Sequence, residues 1–233
     1  MQAHEHDLLR AVEDAHWWLR TLRAQVLRVL PPHARVLDAG CGTGGMLSAL
    51  RAFDAHGIDA SPTAIQHCLA RGLSRVSHAS VHALPFADAS FDVVLSLDVL
   101  YHADVEETKA LAEMRRVLKP GGLLVMNLPA FECLRGSHDA AVSGVRRYRA
   151  CQVQRLLHLH NLKPEMLHHW NAWLFTPLLL WRRWGSMRQS DLKLPCSLLN
   201  GPLAVLGRLD AMMCRVLRIP FGSSIFVTAR HDG

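Results

Sequence analysis

Three glycines and two carboxylates set out the chemistry open to this chain. Gly40, Gly42 and Gly45 fit the pattern G-x-G-x-x-G, between an apolar run at residues 35–38 and a helical pattern through Met46, Leu47 and Leu50. Glycines at such a turn let backbone come close to a ligand, or simply let strand and helix pack tightly. A dinucleotide would set its pyrophosphate on the helix N-terminus. S-adenosylmethionine (SAM) has no phosphate and carries an ammonium. Asp38, two residues before Gly40, favours SAM, because a carboxylate there attracts the ammonium and would repel a pyrophosphate. Asp59 closes the next apolar run and can accept from both ribose hydroxyls of either ligand. Its plainer reading is an exposed turn residue ahead of Ser61.

These residues need elements to hold them. Helical spacing over residues 5–29 predicts one N-terminal helix, ended by Pro31 and Pro32. Short apolar runs at 35–38, up to 59, 75–80, 91–96 and 123–128 read as strands. Helices fall between them, the second opened by Ser61 as N-cap and Pro62 in its first turn. A helix over 150–160, a strand over 165–170 and a last strand over 224–229 follow. Strands alternating with helices predict a doubly wound parallel sheet. Pro177, Pro195, Pro202 and Pro220 interrupt residues 171–222, so helices there are expected to be short or broken.

The 233 residues suit one domain. The expected division is an N-terminal helix over 1–30, a core over 33–170 and 223–230, and a helical insertion or lid over 171–222. The net charge of +6 is compatible with nucleic acid, anionic membrane or an anionic substrate. Six scattered cysteines without a C-x-x-C pair, and no signal-like N-terminus, lead to the expectation of a reduced, cytoplasmic protein. The histidine pairs His168-His169 and His158-x-His160 lack acidic or cysteine partners at ligand spacing, so no metal site is expected.

Residues 36–44 (Val-Leu-Asp-Ala-Gly-Cys-Gly-Thr-Gly) resemble the first motif of class I SAM-dependent methyltransferases. Residues 84–94 resemble their approach to the fourth strand, and residues 115–122 (Arg-Arg-Val-Leu-Lys-Pro-Gly-Gly) their turn before the fifth. The resemblance implies an α/β, Rossmann-like fold: a seven-stranded, mostly parallel sheet with an antiparallel last strand. It implies methyl transfer from SAM, with S-adenosyl-L-homocysteine as product. Asp38, Gly40, Gly42 and Gly44 would surround the methionine end, Asp59 the ribose, and Ala60 the adenine. Leu97 would bring backbone to the cofactor. Many relatives carry an aspartate near Ser80, so here Ser80 and the Val81 backbone are left to meet the adenine. Residues 13–20 resemble the N-terminal His-Trp-Trp signature of a narrower group, and His138-Asp139 with Arg146-Arg147-Tyr148 its segment after the fifth strand.

Methyl transfer requires alignment of the acceptor, exclusion of water and sometimes removal of a proton. His102, just past the fourth strand, is the expected base, with His138 as the other catalytic candidate; either imidazole also suits a purely structural role. Trp17, Tyr101, Asp139, Arg147 and Tyr148 are the expected acceptor-binding residues, and Asp98 a secondary candidate for proton transfer. The N-terminal tryptophans are expected either to pack the helix onto the sheet or to close over the cofactor. Of the consecutive His16, Trp17 and Trp18, at most two are expected on one face. The expected acceptor is small or lipid-like and methylated at oxygen or nitrogen. A nucleic-acid methyltransferase and a non-catalytic SAM-binding protein are the alternatives; no RNA-binding module is recognisable, so nucleic acid is not the expected partner. Residues 171–222 are either extra core or a lid that touches membrane, with Arg182 and Arg183 meeting anionic headgroups.

Overall fold

A computed structural model describes residues 3–136, 139–140, 142–184 and 197–232. Its centre is a seven-stranded sheet in the order β3-β2-β1-β4-β5-β7-β6. The strands are β1 (Arg35–Ala39), β2 (Asp54–Asp59), β3 (Val76–His78), β4 (Phe91–Leu97), β5 (Leu118–Pro129), β6 (Leu162–Trp170) and β7 (Ser224–His231). The first five pair in parallel, and β7 runs antiparallel to both β5 and β6. This is the expected Rossmann-like topology. The strand order reverses between β1 and β4, where Val36 aligns with Val93 and Asp38 with Leu95. In open sheets of this kind, ligands lie beyond the carboxyl ends of the strands at that reversal.

Helices cover both faces, which is why the central strands read as continuous apolar runs. Alternate residues of one strand enter opposite cores. Leu37, Val94 and Leu124 join Leu111 and Met114 of α5 (Glu107–Val117) and Val153 and Leu157 of α6 (Ala150–Leu159). Val36, Val93, Leu95 and Val125 join Leu22 and Val26 of α2 (Trp17–Val29), Met46 of α3 (Gly45–Ala49) and Ala211 of α8 (Ser197–Leu217). Ser61 caps α4 (Pro62–Ala70) as its sequence predicts, accepting from the Ala64 amide at 3.3 Å.

Two expectations are corrected. The single N-terminal helix is two, α1 (Ala3–Val12) and α2, separated by residues 13–16. The break is tertiary in origin: Arg23 donates to the Glu13 carbonyl at 2.6 Å, and His16 leaves helical geometry to become the N-cap of α2. The helices between β6 and β7 are not short. α7 (Ala172–Trp184) and α8 span 13 and 21 residues, with Pro177 and Pro202 inside them. What sets the start of α7 is Asp210, buried in α8. It accepts from the amides of Asn171 at 2.5 Å, Ala172 at 3.0 Å and Trp173 at 3.3 Å, satisfying donors that a helix N-terminus leaves open.

Candidate active site

The carboxyl ends of β1, β2 and β4 open on a cavity of about 1050 Å³. Asp38, Gly40, Gly42, Asp59, Ala60, Ser80, Val81 and Leu97 all line it, as do Trp17, Tyr101, His102, Asp139 and Arg147. Gly44 does not; it is the left-handed N-cap of α3. Tyr148 does not either. Its hydroxyl lies inside the fold and donates to Glu107 Oε1, 2.7 Å away, with the Leu100 carbonyl at 3.1 Å, so its expected place at the acceptor is withdrawn. His138 lies outside the described residues.

The glycine loop is shaped from two sides. Gly40 has φ +96°, and a side chain there would also run into Val99. Asp59 holds the loop from beyond β2: one carboxylate oxygen accepts from the Gly42 amide at 2.9 Å, the other from the Ser61 amide at 2.8 Å. From above, α1 brings Glu13 against the loop. Glu13 is buried, accepts from Thr43 Oγ1 at 2.5 Å and pairs with Arg71. A side chain on Gly45 would collide with Glu13. His6, Leu9, His16, Trp17 and Trp18 complete this roof. All three residues of the His-Trp-Trp run therefore reach the cavity, because the helix begins only at Trp17.

Asp38 lies almost fully buried between these groups, and its Oδ2 has no hydrogen-bond partner. Burial, then the charges of Asp59 and Glu13, pushes its carboxyl up to about 7. A buried carboxylate oxygen without a partner is costly, and it is an acceptor open to a cation.

The far half of the cavity has different polar groups. Asp98 sits after β4 at φ +56°, and both its carboxylate oxygens lie within hydrogen-bond reach of the donating Nδ2 of buried Asn127, at 2.9 and 3.0 Å. Burial pushes Asp98 up to about 7, against the opposing pull of Asn127 and Arg147. Asn127 Oδ1 accepts from Trp170 Nε1 at 2.9 Å, and Trp170 stacks on Trp18 at 5.2 Å. The cavity wall is thus joined to the N-terminal helices through the sheet. His102 stacks on Tyr101, with Nδ1 2.8 Å from the Val142 carbonyl. A carbonyl only accepts, so Nδ1 carries the proton and Nε2 keeps its lone pair. Burial holds this imidazole below its ordinary value. Arg147 makes a two-pronged, buried ion pair with Asp139, at 2.9 and 3.1 Å. Arg146 spends its guanidinium on the Leu100, His102 and Val105 carbonyls. Asn171, at φ +58°, is buried against the cavity with neither side-chain polar atom satisfied.

Residues 37–126 match the model of a family described as methyltransferase domain. A malonyl-[acyl-carrier protein] O-methyltransferase of Halorhodospira halophila is 37% identical over 153 residues, 62% of this chain and 50% of that protein. A tRNA (carboxymethyluridine(34)-5-O)-methyltransferase of Arabidopsis thaliana is 35% identical over 111 residues, 47% of this chain and 27% of that protein. The chain spans about half of the first relative's length and about a quarter of the second's. A Haloferax volcanii methyltransferase, solved in complex with the Trm112 methyltransferase activator, superposes with a TM-score of 0.65. The match covers 99% of this chain and 94% of that one at 21% identity, which speaks for the fold. The matched span, residues 37–126, is that of a methyltransferase domain.

The residues present fit the cofactor of such a domain. Asp38 offers an unpaired buried acceptor to its ammonium, Asp59 retains acceptor capacity toward a ribose, and the loop at Gly40 leaves room for backbone approach. The cavity is also lined by residues that the sequence alone does not assign. Glu13 lies just before the His-Trp-Trp run and has no role legible in the sequence; its partners Thr43 and Arg71 lie far along the chain. Asn171 carried no local signal; only the polar cap from Asp210 and the left-handed backbone turn it toward the cavity.

Proposed function

We propose that this chain transfers the SAM methyl group to an oxygen or nitrogen of a small or lipid-like acceptor. The observation that carries the reading is the reach of the cavity beyond the cofactor residues. At about 1050 Å³ it stands at the upper end of the roughly 300–1,000 Å³ of small-molecule sites, room for cofactor and acceptor together. Leu174, Leu178 and Trp181 of α7 give that far half an apolar wall, while Asn171, Asp98 and His102 supply a few polar groups. This is the composition that fixes the orientation of a largely apolar ligand.

The cofactor supplies an electrophilic methyl group. The chain's residues align the acceptor, with Asn171 donating to or accepting from its polar end, and keep water out beneath Trp17 and Trp181. His102 Nε2 takes the acceptor's proton where one is lost, and Asp98, pushed up to about 7 by burial, is a second acid–base group in the far half of the cavity. His138 is left without a part in this scheme.

The Arabidopsis relative's name and the net charge of +6 support a second reading, in which the acceptor is RNA. Labelled SAM incubated with the protein and a cell extract, then fractionated into lipid, small-molecule and RNA pools, separates the two. Label is expected in the lipid or small-molecule pool and absent with Asp59→Ala. Label in RNA would overturn the small acceptor, and SAM binding without transfer to any pool would reduce the protein to a SAM-binding one.

A further inference from the structure

α8 is built inside out. The residues it turns toward the protein are small: Ala204, Gly207, Ala211 and Cys214, with Asp210 among them. A side chain on Gly207 would meet Thr21 and Trp17 of α2, so this face packs too closely to admit a large residue. The large apolar residues point the other way. Val216 is 72% exposed, Leu217 63%, Val205 59%, and Leu209, Met212 and Met213 about half. At 3.6 residues per turn these six fall in one stripe roughly 140° wide. The rotation of the helix is not a matter of chance, since Asp210 is locked to three amides at the start of α7.

We propose that this stripe is a membrane-docking face that lies in the interface of an anionic bilayer. The occupant is identified by charge. Arg208 and Arg215 border the stripe along one side, and Arg218 follows its end; all three are exposed. The single acid of α8, Asp210, is buried and spent on α7. The exposed charge of the helix is therefore wholly cationic beside an apolar stripe, the arrangement of helices that lie on anionic lipid. None of the described helices is long and apolar enough to cross a membrane, so the contact is peripheral. On α7, Leu180 and Trp181 are exposed, and Trp181 also lines the cavity. The docking face is independent of which acceptor the cavity takes. Arg182 and Arg183, the cations expected to meet the lipid, have side chains outside the described residues, and the observed cations are those of α8.

The test is co-sedimentation of the full chain with phosphatidylglycerol-containing vesicles and with pure phosphatidylcholine vesicles, with sedimentation velocity of the protein alone. The expected result is binding to the anionic vesicles at least fivefold tighter than to the neutral ones. That advantage should shrink between about 0.1 M and about 1 M salt, where screening shortens from about 10 Å to about 3 Å. Leu209→Asp/Val216→Asp is expected to abolish binding, and Arg208→Glu/Arg215→Glu to remove the preference for anionic lipid. Both pairs are exposed, so unchanged thermal unfolding and unchanged SAM affinity by calorimetry should accompany the loss. Failure to bind either vesicle overturns the proposal. So does a dimer of the parent protein that Leu209→Asp/Val216→Asp dissociates, which would make a second copy the occupant.

Discussion

Thr43 donates its hydroxyl to Glu13 at 2.5 Å, binding the glycine loop to the turn that follows α1 across thirty positions of sequence. Arg71 closes the same carboxylate from α4's end. The roof over the cofactor half is therefore held by charge-assisted hydrogen bonds rather than by apolar packing alone. Glu13→Ala removes an acceptor shared by two buried donors, each such bond being worth roughly 1.5–3 kcal/mol. SAM affinity is expected to fall on the order of tenfold as α1 loosens. Calorimetry that finds the affinity unchanged, with the fold intact by circular dichroism, would detach the roof from binding.

Asp38 makes cofactor binding pH-dependent. Without a cation beside it the carboxyl titrates near 7, well above its ordinary 3.8. Between those two values the native state holds the proton and the unfolded chain does not, so this group's contribution to stability is lost as pH rises through the window. An ammonium at Asp38 lowers the same ionisation. Binding then expels a proton, and SAM affinity should fall by up to roughly tenfold per unit as pH drops below 7. Titrations in two buffers of different ionisation heat would count the proton, and Asp38→Asn should abolish it. A flat affinity from about pH 5 to about pH 8 would rule the linkage out.

His102 presents an unprotonated Nε2. If that atom is the base, His102→Ala should lower turnover by roughly 10² and leave SAM affinity nearly untouched. The acid limb of kcat/KM should also fall only below the ordinary histidine range, because burial holds the imidazole down. Turnover that survives the substitution would move the proton to Asp98 or leave alignment as the whole of catalysis.

Asp210→Ala exposes three helix-start amides to an apolar interior. Each unsatisfied buried group costs about 1–3 kcal/mol, so urea denaturation should show at least a loss of that size. Asp210→Asn keeps one acceptor and should lose less. Equal stability of all three proteins would mean that α7 finds its start without help from α8.

The sheet was legible because its signals are local. The loop from Gly40 to Gly45, the cap at Ser61 with Pro62, and the turn at Lys119-Pro120-Gly121-Gly122 each state their geometry within a few residues. The break at residues 13–16 was not, because the helical pattern runs through it and the groups that hold it open lie elsewhere: Arg23 on the Glu13 carbonyl, and Asn200 on the Ala15 carbonyl and the Trp17 amide. Pro177 and Pro202 argued for broken helices, yet helix continues on both sides of each. Of the site residues, Asp38 and Asp59 followed from their place at strand ends. Arg147 and Tyr148 were read as reaching for a ligand, when one is committed to Asp139 and the other is turned inward to Glu107. A polar residue's chemistry can be read from its type; whether the fold has already used it depends on partners far away in sequence.

β7 pairs with β5 on one side and β6 on the other, so the strand latest in the chain lies within the sheet and not at its rim. While a ribosome is still making α6, β6, α7 and α8, the outer edge of β5 has no partner and β6 has nothing to join. Unpaired edges of this kind are the ones that recruit other chains. Nascent polypeptide should therefore stay protease-sensitive across β5 and β6 until residues 224–231 have cleared the exit tunnel. Protection that appears earlier on stalled ribosomes would mean that another segment guards the gap in the meantime.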